Sequence, residues 1–151
     1  LTTFVGQNLG AREYERTRKG AKFGIVMTMV LAELIGAMVF LFAPQLIAAF
    51  DSSEEVVRFG IEKARTAALF YCLLAYSHSI AAVLRGAGKA IVPMVIMMTF
   101  WCVVRVTFLS ITIPLTHSIQ MVYWVYPMTW ALSSLTFWIY YQKVDWMHSR
   151  V

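Results

Sequence analysis

Of the chain's 151 residues, 60% are hydrophobic and 14% are charged, against roughly 45–50% and 25% in a soluble domain. Lys and Arg number 13 and Asp and Glu 8, a formal charge of +5. These charges gather in short clusters between long uncharged stretches, a segregation that belongs to all-α integral membrane proteins and argues against a soluble helical bundle and against a nucleic-acid partner.

A basic cluster of Arg12, Arg16, Arg18, Lys19 and Lys22 stands directly before the first apolar stretch, where the positive bias of cytoplasmic loops places it. The first predicted transmembrane helix covers 23–43 and is bounded by Pro44. About 20 residues suffice to cross a hydrocarbon core of roughly 30 Å. Glu33 is its only charge. The pairs Gly20 and Gly24, and Ala32 and Gly36, repeat at a four-residue spacing that permits close helix approach. The chain opens on Leu1 with no signal-like pattern before the basic block, so it reads as part of a longer polypeptide.

Asp51-Ser-Ser-Glu-Glu55 marks the start of the next helix, with Ser52 and Glu55 at capping-box spacing and acids suited to the positive helix end. One helix from Ser53 to Leu84 would measure about 48 Å at 1.5 Å per residue, so its charged first turns are expected outside the membrane and 66–84 inside. This second span carries a polar patch of Tyr71, Tyr76, Ser77, His78 and Ser79. His78 reads either as a proton carrier or as a hydrogen-bond partner between helices.

Arg85-Gly-Ala-Gly-Lys89 is a basic turn, and the third span, 90–113, carries Pro93 in its first turn, where a missing amide proton costs little. Arg105 is the only charge in that span. After an uncharged turn, Pro114-Leu-Thr-His-Ser118, the fourth span covers 119–141. Tyr123, Trp124 and Tyr126 at one end and Trp138, Tyr140 and Tyr141 at the other fit interfacial aromatic belts. Pro127 predicts a kink or local unwinding, and Ser133, Ser134 and Thr136 predict interhelical contacts. The distribution of Lys and Arg places both ends of the segment in the cytoplasm and the protein in the cell membrane.

The sequence holds no nucleophile with a base at helical offset, no phosphate-binding glycine loop and no paired acids, so neither an enzyme nor a cofactor is expected. Cys72 and Cys102 lie in apolar spans without metal-ligand spacing, and no disulfide is expected between them. Glu33 falls about 15 Å from the cytoplasmic boundary and the Cα of Arg105 about 22 Å. Two readings stay open: an ion pair fixing two helices, or groups on an ion or substrate pathway, in which His78 and Tyr71 are the other candidates.

Phe4-Val-Gly-Gln-Asn-Leu-Gly-Ala-Arg12, followed by the basic helix start, resembles the cytoplasmic loop of the multidrug and toxic compound extrusion family. Leu84-Arg-Gly-Ala-Gly-Lys89 with Pro93-Met94 is similar to that family's second glycine-rich loop, and Asp51–Glu55 to its acidic turn. Family members resemble two six-helix bundles in one chain. The uncharged outer loop and polar tail match the carboxy-terminal copy, so the resemblance implies the ninth to twelfth of twelve helices, with the amino-terminal helices of the same chain as partners. The implied activity is export of cationic amphiphilic compounds in exchange for sodium ions or protons, by alternating access between the bundles. In some members an acid in the tenth helix takes part in cation binding; the matching span here, 66–84, has none. The alternatives are a lipid-linked oligosaccharide or polysaccharide flippase of the same superfamily and a small structural membrane subunit of four helices.

Overall fold

The computed structural model describes residues 1–50 and 53–148, and among them the regular structure is entirely helical. The segment expected to be a loop, Phe4 to Gly10, is instead part of helix α1 (Thr2–Gly10). Its end is closed by Arg12 at φ 60°, with Arg12 N–H donating to Leu9 O at 3.0 Å and Glu13 N–H to Asn8 O at 2.8 Å. That is the left-handed helix stop usually assigned to glycine. Helix α2 (Tyr14–Ala48) follows and runs through Pro44 rather than ending before it.

The long second helix expected from Ser53 to Leu84 is broken. Helices α3 (Glu54–Ala68) and α4 (Tyr71–Gly86) meet at Leu69 and Phe70 and are bent by 54°. Glu54 and Glu55 occupy the first turn of α3, as the helix dipole favours. The N-cap position of α3 falls on Ser53; Ser52, on which the expected capping box rests, lies outside the described residues. Helix α4 stops as its glycines predict: Gly88 takes φ 83°, and Gly88 and Lys89 donate their amides to Arg85 O and Leu84 O.

Helices α5 (Ile91–Met98) and α6 (Arg105–Thr116) are joined by a π-helical segment, Thr99–Val104, into one apolar unit spanning Ile91–Thr116. Helix α7 (Gln120–Lys143) contains Pro127 without interruption. Local unwinding there does not occur. Tyr123 is buried, while Trp124 and Trp138 stay exposed.

Helix α4 lies between α2 and α7; α1 packs on α2 and α4, and the Ile91–Thr116 unit leans on α7 and α4. The core, including Val5, Ala21, Ile80, Leu84, Phe137 and Trp146, sits where α1, α2, α4 and α7 converge. Elsewhere apolar side chains face outward: Phe23, Leu34 and Leu41 on α2 and Val103 and Val106 on the third unit are all more than half exposed. In water such a surface would aggregate. Beside lipid or further helices it costs nothing.

Helix α2 and the Ile91–Thr116 unit are long and apolar enough to cross a membrane, and the bent α3–α4 pair makes a third span if taken together. Helix α7 has the length, 24 residues, but its Tyr, Ser, Thr and Gln side chains make it less apolar. Length and hydropathy therefore support two or three of the four expected spans.

Candidate functional site

The helices meet along a polar seam. Ser77 on α4 lies 3.0 Å from Ser133 Oγ and 2.9 Å from Ser134 Oγ on α7. Ser133 donates to Trp130 O and Ser134 to Leu73 O, and the Ser77 hydroxyl links the two serines. Trp101, in the π-helical segment, donates Nε1–H to Ser133 Oγ at 3.2 Å. The interhelical role expected for Ser133 and Ser134 is thus what the structure shows, whereas Thr136 turns back to Leu132 O within its own helix. Hydroxyls sequestered between apolar helices must pair with one another or with carbonyls, and these do both.

One turn along the seam, Arg105 Nη2 donates to Thr129 Oγ1 at 2.7 Å, and Thr129 donates to Tyr126 O. The guanidinium carbon lies 4.3 Å from the centroid of the Tyr126 ring, and Lys63 Nζ lies 5.0 Å from the same ring. A cation over an aromatic face is held by the ring quadrupole, an arrangement suited to arginine in a poorly hydrated place. Arg105 Nε is buried without a hydrogen-bond partner.

Glu33 and Arg105 do not pair. Glu33 Oε2 instead accepts the amide proton of Cys72 at 3.1 Å. Cys72 is the second residue of α4, where the break at Leu69 and Phe70 leaves amide protons with no carbonyl of their own helix to reach. A carboxylate from the neighbouring helix caps that end, where the helix dipole also favours negative charge. The sequence-based depth of Glu33 was compatible with Arg105, but the break in α3–α4 supplies a partner that a straight helix lacks.

Tyr71 packs its ring 6.3 Å from Trp130, which stands 6.1 Å from Tyr126. His78 is exposed and meets Trp101 edge-on at 5.2 Å. Tyr71, His78 and Arg105 therefore border one seam through Trp130, Tyr126 and Trp101, while Glu33 stands at its broken-helix end beside Tyr71. Thr129 and Trp101 escaped the sequence reading. Trp101 precedes Arg105 by four residues, the spacing that puts two side chains on one helix face. No group of three or more His, Cys, Asp or Glu side chains gathers among the described residues.

The two glycine motifs form a second centre. A β-carbon on Gly86 would lie 2.5 Å from Thr2 O, and one on Gly6 would lie 3.3 Å from Gly86 O, so α1 crosses the end of α4 backbone to backbone. Thr2 Oγ1 donates to Ala82 O across the same crossing. The tail folds back here: Trp146 is buried, stacked 5.3 Å from Tyr141, and His148 Nδ1 lies 2.8 Å from Asp145 Oδ2. Desolvation is the largest single influence and pushes the Asp145 carboxyl up, but hydrogen bonds from the His148 amide and ring, the His148 charge and the Met147 amide together outweigh it and hold the group below the ordinary carboxylate range.

The MatE family model covers residues 1–112, from α1 through most of α6. The whole chain is 26% identical over 157 aligned residues to the probable multidrug resistance protein YoeA of Bacillus subtilis (strain 168), of which it covers 33%. Over 64% of its length it is 27% identical to the probable multidrug resistance protein NorM of Thermotoga maritima, covering 21% of that protein. The chain spans about a third or less of these curated relatives. With both glycine motifs and three helical units inside the matched region, the chain belongs to the MatE family of membrane transporters.

Proposed function

We propose that this chain supplies four transmembrane helices, the ninth to twelfth, of the carboxy-terminal bundle of a secondary active transporter that exports cationic amphiphilic compounds in exchange for sodium ions or protons. The observation that carries the reading is the family match across residues 1–112, supported by relatives named as multidrug resistance proteins. In this arrangement α2, the α3–α4 pair, the Ile91–Thr116 unit and α7 each cross the plasma membrane, and both ends of the segment face the cytoplasm.

The seam between α4, α7 and the π-helical segment offers polar groups at membrane depth, and π segments recur where helices serve function. Glu33 at the broken helix is our candidate for coupling: a carboxylate beside a discontinuous membrane helix combines an ionisable group with helix-terminal backbone. Arg105, His78 and Tyr71 border the route. A flippase for phosphate-bearing lipid-linked sugars would favour a cluster of basic groups at membrane depth; Arg105 is the basic residue of the third span, and Lys63 of α3 shares its Tyr126 ring.

The test is efflux of a fluorescent cationic dye from cells expressing the full-length parent protein, under sodium and proton gradients in turn. The parent is expected to export dye under one of them, and Glu33→Gln to slow export at unchanged expression. No export under either gradient overturns the antiporter reading and favours the flippase. Export by Glu33→Gln at the parent's rate removes Glu33 from the pathway and leaves it the cap of α4.

A further inference from the structure

At the end of the helices that carries the basic cluster, a cavity of about 440 Å³ opens between α2, α4, α7 and the tail, a size ordinary for a small-molecule or headgroup site. Arg18 and Lys22 line it from one face of α2, four residues apart. Opposite stand Tyr76, Trp138, Tyr141 and Trp146. The ion pairs among the described residues are Lys19 with Glu15 and His148 with Asp145, so neither Arg18 nor Lys22 is neutralised by an acid.

The level of this cavity in the bilayer follows from its walls. Lys22 ends the basic cluster immediately before the apolar stretch, and Trp138 and Tyr141 lie in the last turns of α7, the depth at which aromatic rings meet lipid headgroups. Two free cations above an aromatic and aliphatic wall suit a ligand with a phosphate at one end and hydrocarbon at the other. A free inorganic anion has no use for the apolar wall, and a neutral lipid has none for the two cations.

We propose that this cavity is a binding site for an anionic phospholipid, with its phosphate between Arg18 and Lys22 and the start of its acyl chains against Trp138. Its assignment to the cytoplasmic leaflet rests on the topology proposed above; the binding itself does not, and it is read without any transport assay.

The test uses the purified full-length parent in detergent, offered phosphatidylglycerol or phosphatidylcholine and examined by native mass spectrometry for retained lipid. Phosphatidylglycerol is expected to be retained in preference. The Arg18→Gln/Lys22→Gln double variant should lose roughly tenfold in that retention, since each basic group near a membrane surface contributes measurably to anionic-lipid attraction. Arg18→Lys/Lys22→Arg, which keeps both charges, should retain it. Arg58→Gln, which removes a cation on α3 outside the cavity, should leave it unchanged. Melting temperature and gel-filtration profile identify any variant that fails to fold.

Four results overturn the proposal. Equal retention of both lipids by wild type removes the charge preference. Loss in Arg58→Gln equal to that in the double variant makes the attraction a general surface effect. Displacement by millimolar inorganic phosphate makes the site one for a free anion. Unchanged retention in a folded double variant means that the retained lipid sits elsewhere on the parent.

Discussion

Glu33 shows how far a single residue is legible. An acid deep in an apolar span had to find a partner, and the sequence offered Arg105 at a compatible depth. The structure gives Glu33 the Cys72 amide and gives Arg105 the Thr129 hydroxyl and the Tyr126 ring. Neither bond is readable from spacing, because both depend on how helices lie side by side. If Glu33 caps α4, Glu33→Ala should destabilise the parent by about 1–3 kcal/mol, the cost of leaving a sequestered donor unpaired. Glu33→Gln, which keeps an acceptor oxygen, should cost less. Thermal unfolding in detergent measures both, and equal losses would exclude the cap. For the serine cluster, Ser77→Ala and Ser133→Ala should be non-additive, with a coupling of about 0.6 kcal/mol or more; additive losses in the double-mutant cycle would mean that the shared hydrogen bond contributes nothing.

At the scale of elements, the glycine motifs were recognisable individually but not as a pair. Gly6 and Gly86 lie 80 residues apart in sequence, and their approach requires α1 to be a helix, which the loop-like resemblance concealed. The crossing predicts opposite outcomes for two similar substitutions. Gly86→Ala sets a methyl against Thr2 O and the side chain of Val5 and should destabilise by about 1–3 kcal/mol. Gly10→Ala meets nothing within 4 Å and should be neutral or slightly stabilising. A matching loss at both positions, measured by thermal unfolding, would contradict the crossing.

The break at Leu69 and Phe70 was invisible for a different reason. No Pro or Gly marks it, and Phe, Tyr and Leu continue the apolar pattern. The tail was legible only as polar, yet Trp146 docks it and Asp145 orders its turn. Because the Asp145 carboxyl is held low, the docked tail gains from its ionised form above the ordinary carboxylate pKa and loses that gain as pH falls through the depressed value. Protease accessibility after Lys143 should rise in acid and should already be raised at neutral pH in Asp145→Asn. No change in either condition would detach the tail from this turn.

For the whole molecule, composition and charge segregation were sufficient to place the chain in a membrane, and the apolar stretches located the last two helical units closely, whereas α2 starts well before the expected span, at Tyr14, and the second helix is broken. What hydropathy alone does not decide is whether α7 crosses. Its aromatic and hydroxyl residues supply the inner wall of the seam and bury Thr129, Ser133 and Ser134 against α4 and α6, and this same content lowers its apolarity. A helix that packs its polar face inward spans as well as one that is apolar all round, provided its partners satisfy that face.

Cysteine accessibility in the full-length parent, made cysteine-free and given single cysteines at Lys89, Thr116 or Lys143, tests this most directly. An impermeant maleimide should label Thr116→Cys on intact cells and should reach Lys89→Cys and Lys143→Cys only after permeabilisation. Labelling of Thr116→Cys and Lys143→Cys from the same side would show that α7 does not cross the membrane, and the four-helix account would fall.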